Sequence, residues 1–161
     1  MTKPKFIGYD DTTKRQIWQL NLASIETDFA WDEAHGQKFA CICAMDTSSI
    51  PNAKLSAFCS HLIKLGCAYF CAWGPGCKRM HDLMDEQIIG SNPPVTGIGC
   101  LMTTWHAKES LVKAVDYFLY CTISDDDYAP AGCPHGLAMS FGRAEWEAEI
   151  ERRLHQSMTA Q

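Results

Sequence analysis

Asp46, Trp73, Gly74, Gly76, Thr104, Trp105 and His106 have the composition of a small-molecule site. They stand at or just past the ends of three apolar runs, Phe39 to Met45, Cys67 to Trp73 and Gly97 to Thr103. An indole stacks on a flat ring, while Asp and His carry or orient protons. The glycines of Gly74-Pro75-Gly76-Cys77 let backbone N–H groups approach an anion at a helix start. The same residues also suit a plain tight turn. They lack the Gly-Lys-Ser/Thr of a P-loop and the Gly-x-Gly-x-x-Gly of a dinucleotide fold. A cysteine opening a helix is expected to have a lowered pKa, which makes Cys77 a conceivable nucleophile.

Metal chemistry has one candidate set. Cys77 and His81 share a helix face, and Cys133 and His135 flank Pro134. Together they supply zinc-type ligands, but the spacings match no standard zinc module, and the zinc-deaminase pattern is missing. Asp125-Asp126-Asp127 lacks the spacing and glycine of a calcium loop and reads as a solvated turn. No Gly-x-Ser-x-Gly elbow supplies a hydrolase serine. His35, His61 and His155 read as surface or interface residues. No cofactor is expected.

These residues need elements to hold them. Residues 39–45 form an apolar run that reads as a buried strand. Leu55, Phe58, Cys59, Leu62 and Ile63 repeat at helical spacing, and Gly66 sits where a left-handed C-cap belongs. Cys67 to Trp73 is a second strand, followed by a helix carrying Met80, Leu83, Met84 and Ile88 to about Gly90. A loop at Asn92-Pro93-Pro94 leads to a third strand, Gly97 to Thr103. A helix from about Lys108 carries Leu111, Ala114, Val115, Phe118 and Leu119. After a polar loop at 124–130, Gly136 to Phe141 is a fourth strand. Gly142 leads into a last helix with Trp146, Ile150 and Leu154 on one face. Strands alternating with helices predict a three-layer α/β sandwich, Rossmann-like or flavodoxin-like, with a mostly parallel sheet of at least four strands. Residues 1–161 read as one such domain. Residues 1–37 are poorly readable, with Phe6 to Tyr9 and Ile17 to Leu20 as weak edge-strand signals. If the first strand is central, it neighbours the third at a switch point, with Asp46 beside Thr104 and Trp73 and His106 on the rims.

Composition narrows the partners. Hydrophobic residues make up 47% of the 161, enough to build a core rather than a disordered chain. A net charge of −5 without a basic cluster argues against nucleic acid and anionic membranes. No apolar stretch is long enough to span a bilayer. The nine cysteines are an odd number, and several lie inside buried-strand patterns. Cys41 and Cys43 would point to one face. With no signal-type apolar stretch after Met1-Thr2-Lys3-Pro4-Lys5, the expected home is the cytosol, with every thiol free.

The combination of Ala72-Trp73-Gly74-Pro75-Gly76-Cys77 with Thr103-Thr104-Trp105-His106 resembles a family of small bacterial α/β proteins known only as a domain of unknown function. The likeness covers roughly residues 38–154. It implies a bacterial origin and no mechanism. The residues themselves support three readings. The first is a binding domain, taking a small anionic or nucleotide-like ligand, or a partner chain, at the carboxyl edge of the sheet. The second is a small enzyme using Asp46 or His106 as general base at that edge. The third is a protein-interaction module without a small-molecule site; a homodimer fits it.

Overall fold

The structure, a computed structural model, describes residues 1–90, 101–122 and 133–159. The loop at Asn92-Pro93-Pro94, the start of the expected third strand and the Asp125-Asp126-Asp127 turn lie outside the described residues. Six strands form one sheet: β1 (Lys5–Tyr9), β2 (Gln16–Leu22), β3 (Phe39–Ala44), β4 (Cys67–Trp73), β5 (Met102–Trp105) and β6 (His135–Phe141). Four helices, α1 (Asn52–Leu65), α2 (Cys77–Ile89), α3 (Leu111–Tyr120) and α4 (Ala144–Gln156), cover it.

The sheet is parallel except for the antiparallel pair β1–β2, and its order is β1-β2-β6-β3-β4-β5. Every residue of β3 and β6 is buried. Parallel strands covered on both faces read as unbroken apolar runs, which is why these two were visible in sequence. On one face α1 and α2 press Leu55, Phe58, Leu62, Met80 and Met84 against Cys41, Cys43, Phe70 and Met139. On the other, α3 and α4 bring Val115, Phe118, Ile150 and Leu154 onto Ile42, Ala44, Cys71 and Ala138. Gly66 takes the expected left-handed cap, its N–H reaching the carbonyls of Leu62 and Ile63. α3 begins at Leu111 rather than near Lys108, because the Ser110 hydroxyl caps it by accepting from the Lys113 N–H at 3.2 Å.

Three expectations are corrected. The weak N-terminal signals are both strands, yet only β1 is an edge; β2 pairs along its length with β6. The first apolar strand, β3, does not neighbour β5. It lies between β6 and β4, and Thr104 is on the edge strand. The order also departs from both common doubly wound orders, since the last strand inserts at the centre. The switch point therefore falls between β3 and β6, whose chains leave toward opposite faces as α1 and α4.

The eight described cysteines are free thiols, seven of them buried. Cys41 and Cys43 share one face, with sulfurs 3.8 Å apart. Burial pushes the Cys59 thiol up to about 12, and Cys41 and Cys67 rise as well. A brief N-ethylmaleimide pulse on native protein should therefore label Cys121 and spare the seven buried thiols, as peptide mass mapping would read. Rapid labelling of Cys41 or Cys43 would contradict this packing.

His135 opens β6 fully buried. Its Nδ1 accepts from Trp18 Nε1 at 3.3 Å, which leaves Nε2 to donate to Gln37 Oε1 at 2.9 Å. Burial lowers its pKa, and His35 adds to the effect. The unfolded chain thus binds a proton that the native state refuses. Stability is full above the unfolded value of about 6.5 and is lost as pH falls from there toward the native value. The unfolding free energy should drop more steeply between about pH 7.5 and about pH 5 in the parent than in His135→Gln. Equal slopes would acquit this histidine.

Candidate functional site

The carboxyl edge of β4 is stitched to that of β3. Met45 N–H donates to the Trp73 carbonyl at 3.0 Å, and Thr47 N–H to the Pro75 carbonyl at 2.9 Å. Gly74 (φ 114°) and Gly76 (φ 78°) make this approach feasible. A Cβ on Gly74 would lie 2.3 Å from the Met45 carbonyl oxygen, and one on Gly76 2.2 Å from Thr47 Oγ1. The loop then runs into α2. On the other side, His106 N–H donates to the Ala72 carbonyl at 2.9 Å and ties the end of β5 to β4.

Between these ends lies a cleft of about 480 Å³, lined by Trp73, Gly74, Gly76, His106 and Glu109, with Trp146 from α4. Trp73 and Trp146 meet edge to face at 5.1 Å, and the Trp73 indole N–H donates to the Glu109 carbonyl at 2.8 Å. The Arg143 guanidinium lies 4.5 Å over the Trp146 ring. Lys78 is the cation on the cleft lining.

His106 is almost fully enclosed and rests against Tyr117 at 4.7 Å. Its Nδ1 lies 3.2 Å from Glu109 Oε2, and its Nε2 lies 2.9 Å from Thr104 Oγ1. A carboxylate only accepts, so Nδ1 carries a proton, and in the neutral ring Nε2 accepts from the threonine hydroxyl. This is a hydroxyl–imidazole–carboxylate relay in the order a general base requires. A second cluster of hydrogen-bonded side chains stands across β5. Thr103 Oγ1 donates to Asp85 Oδ1 at 2.6 Å and lies 3.0 Å from His81 Nε2, while His81 Nδ1 faces Asp82 at 3.0 Å.

Trp73, Gly74, Gly76 and His106 thus share the cleft, and Thr104 touches it through His106. Trp105 is not among its lining residues. It packs at a tilt against His81, ring centres 4.5 Å apart, with Lys78 5.5 Å over its ring. Asp46 lines a different cleft. Its carboxylate accepts from the Ser48 N–H at 3.0 Å and hydroxyl at 2.6 Å, and from Arg143 at 3.0 Å. The Ser48 bonds, with Arg143 behind them, hold it below the usual carboxylate range. Asp46 therefore has Arg143 beside it and not Thr104, because β6 and not β5 lies next to β3.

One expectation about sulfur changes. The Cys77 pKa is raised, not lowered. The thiol is buried, and desolvation outweighs the backbone N–H groups of His106, Cys77, Lys78 and Gly74 that face it. The zinc candidates are also split. Cys77 and His81 stand beyond the carboxyl end of β4, whereas Cys133 and His135 stand at the amino end of β6. Among the described residues no group of three or more His, Cys, Asp or Glu is placed to hold a metal ion.

Sequence reasoning missed Trp146 and Glu109. Trp146 shares its helix face with Ile150 and Leu154, so it read as core. Glu109 follows His106 at the third position, and that spacing was its only signal.

The fold and this cleft define an α/β domain with a concave site at the carboxyl edge of a mixed sheet. The chain belongs to the family described as domain of unknown function DUF7684, whose model matches residues 20–157. That match reaches further toward the N-terminus than the likeness expected from the sequence, and takes in the last three residues of β2. No curated protein matches the chain.

Proposed function

We propose that this protein is a binding domain for a small, flat, anionic molecule of the nucleotide type, held in the cleft between Trp73 and His106. The carrying observation is the convergence of Trp73, Gly74, Gly76 and His106 from two strand ends on one cleft, with the Trp146 indole added. Indole faces and edges take a planar ring, and about 480 Å³ is within the range of small-molecule pockets. The negative end of the ligand falls to Lys78, which lines the cleft, and Arg143, which lies over Trp146. The free, buried thiols suit a reducing compartment, and we place the protein in the cytosol on that ground.

Adenosine monophosphate is a suitable probe. In nitrogen-15 NMR spectra the five tryptophans give separate indole N–H signals. Titration should move those of Trp73 and Trp146, and Trp73→Ala should weaken binding about tenfold, the loss expected for one stacked ring. Movement confined to Trp18 and Trp31, or none at millimolar probe, would refute the site.

The Thr104–His106–Glu109 relay favours a second reading, a small enzyme at the same edge. His106 would act as general base there, with Glu109 as its partner.

A further inference from the structure

A separate cleft of about 310 Å³ opens where the strand order reverses. Its walls come from the carboxyl ends of β2, β3 and β6, and from the start of α1 at Pro51. Met45, Ile50 and Phe141 supply its apolar surface. Glu26, Asp46 and Lys54 supply its charge. Open α/β sheets bind ligands in this kind of crevice, because the adjoining connections leave toward opposite faces.

The charges on the cleft come in matched pairs. Asp46 bonds Arg143 at 3.0 Å, and Lys54 bonds Glu26. All four side chains are at least a third exposed. Exposed pairs of this kind hold their partners weakly, so either can turn to a ligand at small cost. Counted with Arg143, which pairs Asp46 from outside the lining, the two carboxylates and two cations cancel, so a simple anion or cation gains little. A molecule carrying both signs can satisfy one member of each pair, its ammonium on Asp46 and its carboxylate on Lys54. The uncapped start of α1 adds a favourable end for the carboxylate. The apolar surface then takes a hydrocarbon side chain.

We propose that this switch-point cleft is a second binding site, for a free α-amino acid with an apolar side chain. It stands independently of the nucleotide-type cleft. The test is isothermal titration calorimetry of the whole protein with L-leucine, leucinamide and 4-methylpentanoate. L-leucine is expected to bind saturably, with the amide and the acid, which each lack one charge, weaker by about tenfold. Asp46→Asn and Lys54→Gln should each weaken leucine by about tenfold while the thermal midpoint stays near the parent's. Trp73→Ala, which belongs to the other cleft, should leave leucine unchanged. The proposal is overturned if leucine gives no saturable heat, or if leucinamide binds as tightly as leucine. It is equally overturned if both charge variants bind leucine as the parent does, or if Trp73→Ala alone abolishes binding.

Discussion

Gly74→Ala should lower the unfolding free energy by about 3 kcal/mol, and the cleft at Trp73 should be lost with it. Two costs combine. At φ 114° an L side chain is strained, by about 1 kcal/mol or more. The new methyl would also stand 2.3 Å from the Met45 carbonyl oxygen, which is backbone and cannot swing away. Either β3 and the β4–α2 loop separate, breaking the Met45–Trp73 hydrogen bond, or both bend; overpacking of this sort costs about 1–3 kcal/mol. Gly36→Ala is the control, since φ there is 76° but nothing lies within 4 Å of the added carbon. Urea unfolding of the two variants separates strain from collision. A Gly74→Ala cost no larger than that of Gly36→Ala would show that the contact yields freely.

Arg15→Met should cost a similar amount, again about 3 kcal/mol. Arg15 is 4% exposed, and its guanidinium joins three distant pieces of chain. Nε donates to the Cys133 carbonyl at 3.0 Å, and the two terminal nitrogens donate to Thr122 Oγ1 and to the Thr122 carbonyl, each at 2.8 Å. Methionine fills much of the volume and removes the buried charge. It also strips these buried acceptors of their donor, at about 1–3 kcal/mol for each carbonyl. Arg15→Lys should recover only part of the loss, since one ammonium cannot span the fork. Thermal and urea midpoints for the two variants test this. A methionine variant as stable as the parent would mean that shedding a buried charge offsets every lost bond.

Strands buried on both faces were legible because nothing in them had to face water. Phe39 to Ala44 and Cys67 to Trp73 are of this kind, and the helices between them show clean apolar stripes. β2 was not legible. Gln19 is buried in it, satisfied by the Glu147 carbonyl and by Asn21, so a polar letter stands where the pattern wants an apolar one. The position of β6 could not be read either. Its residues say that it is central, but not which two strands it separates, and Asp46's partner depended on that. At the site, backbone ends were easier to foresee than side chains. Gly74 and Gly76 follow from the turn, whereas Trp146 enters the cleft from a helix whose apolar stripe it shares. Cys77 went the wrong way because its sequence position indicates a helix start and says nothing about burial.

The insertion of β6 between β2 and β3 has a consequence for how the chain acquires its shape. Asn21 meets Ser140 across 119 residues, and Cys43 meets Met139 across 96. The middle of the sheet is thus its last-synthesised strand. Until residues 135–141 arrive, β3 and β4 can dock with α1 and α2 as a local unit, but β1 and β2 form a hairpin with no sheet to join. Closing such long loops is entropically slow, and folding governed by distant contacts is slow with it. A nascent chain that has not yet made β6 presents two apolar strand edges, one on β2 and one on β3, each shaped to receive the same missing strand. Those edges, more than any surface of the finished fold, are where a stalled or truncated chain would pair with the wrong neighbour.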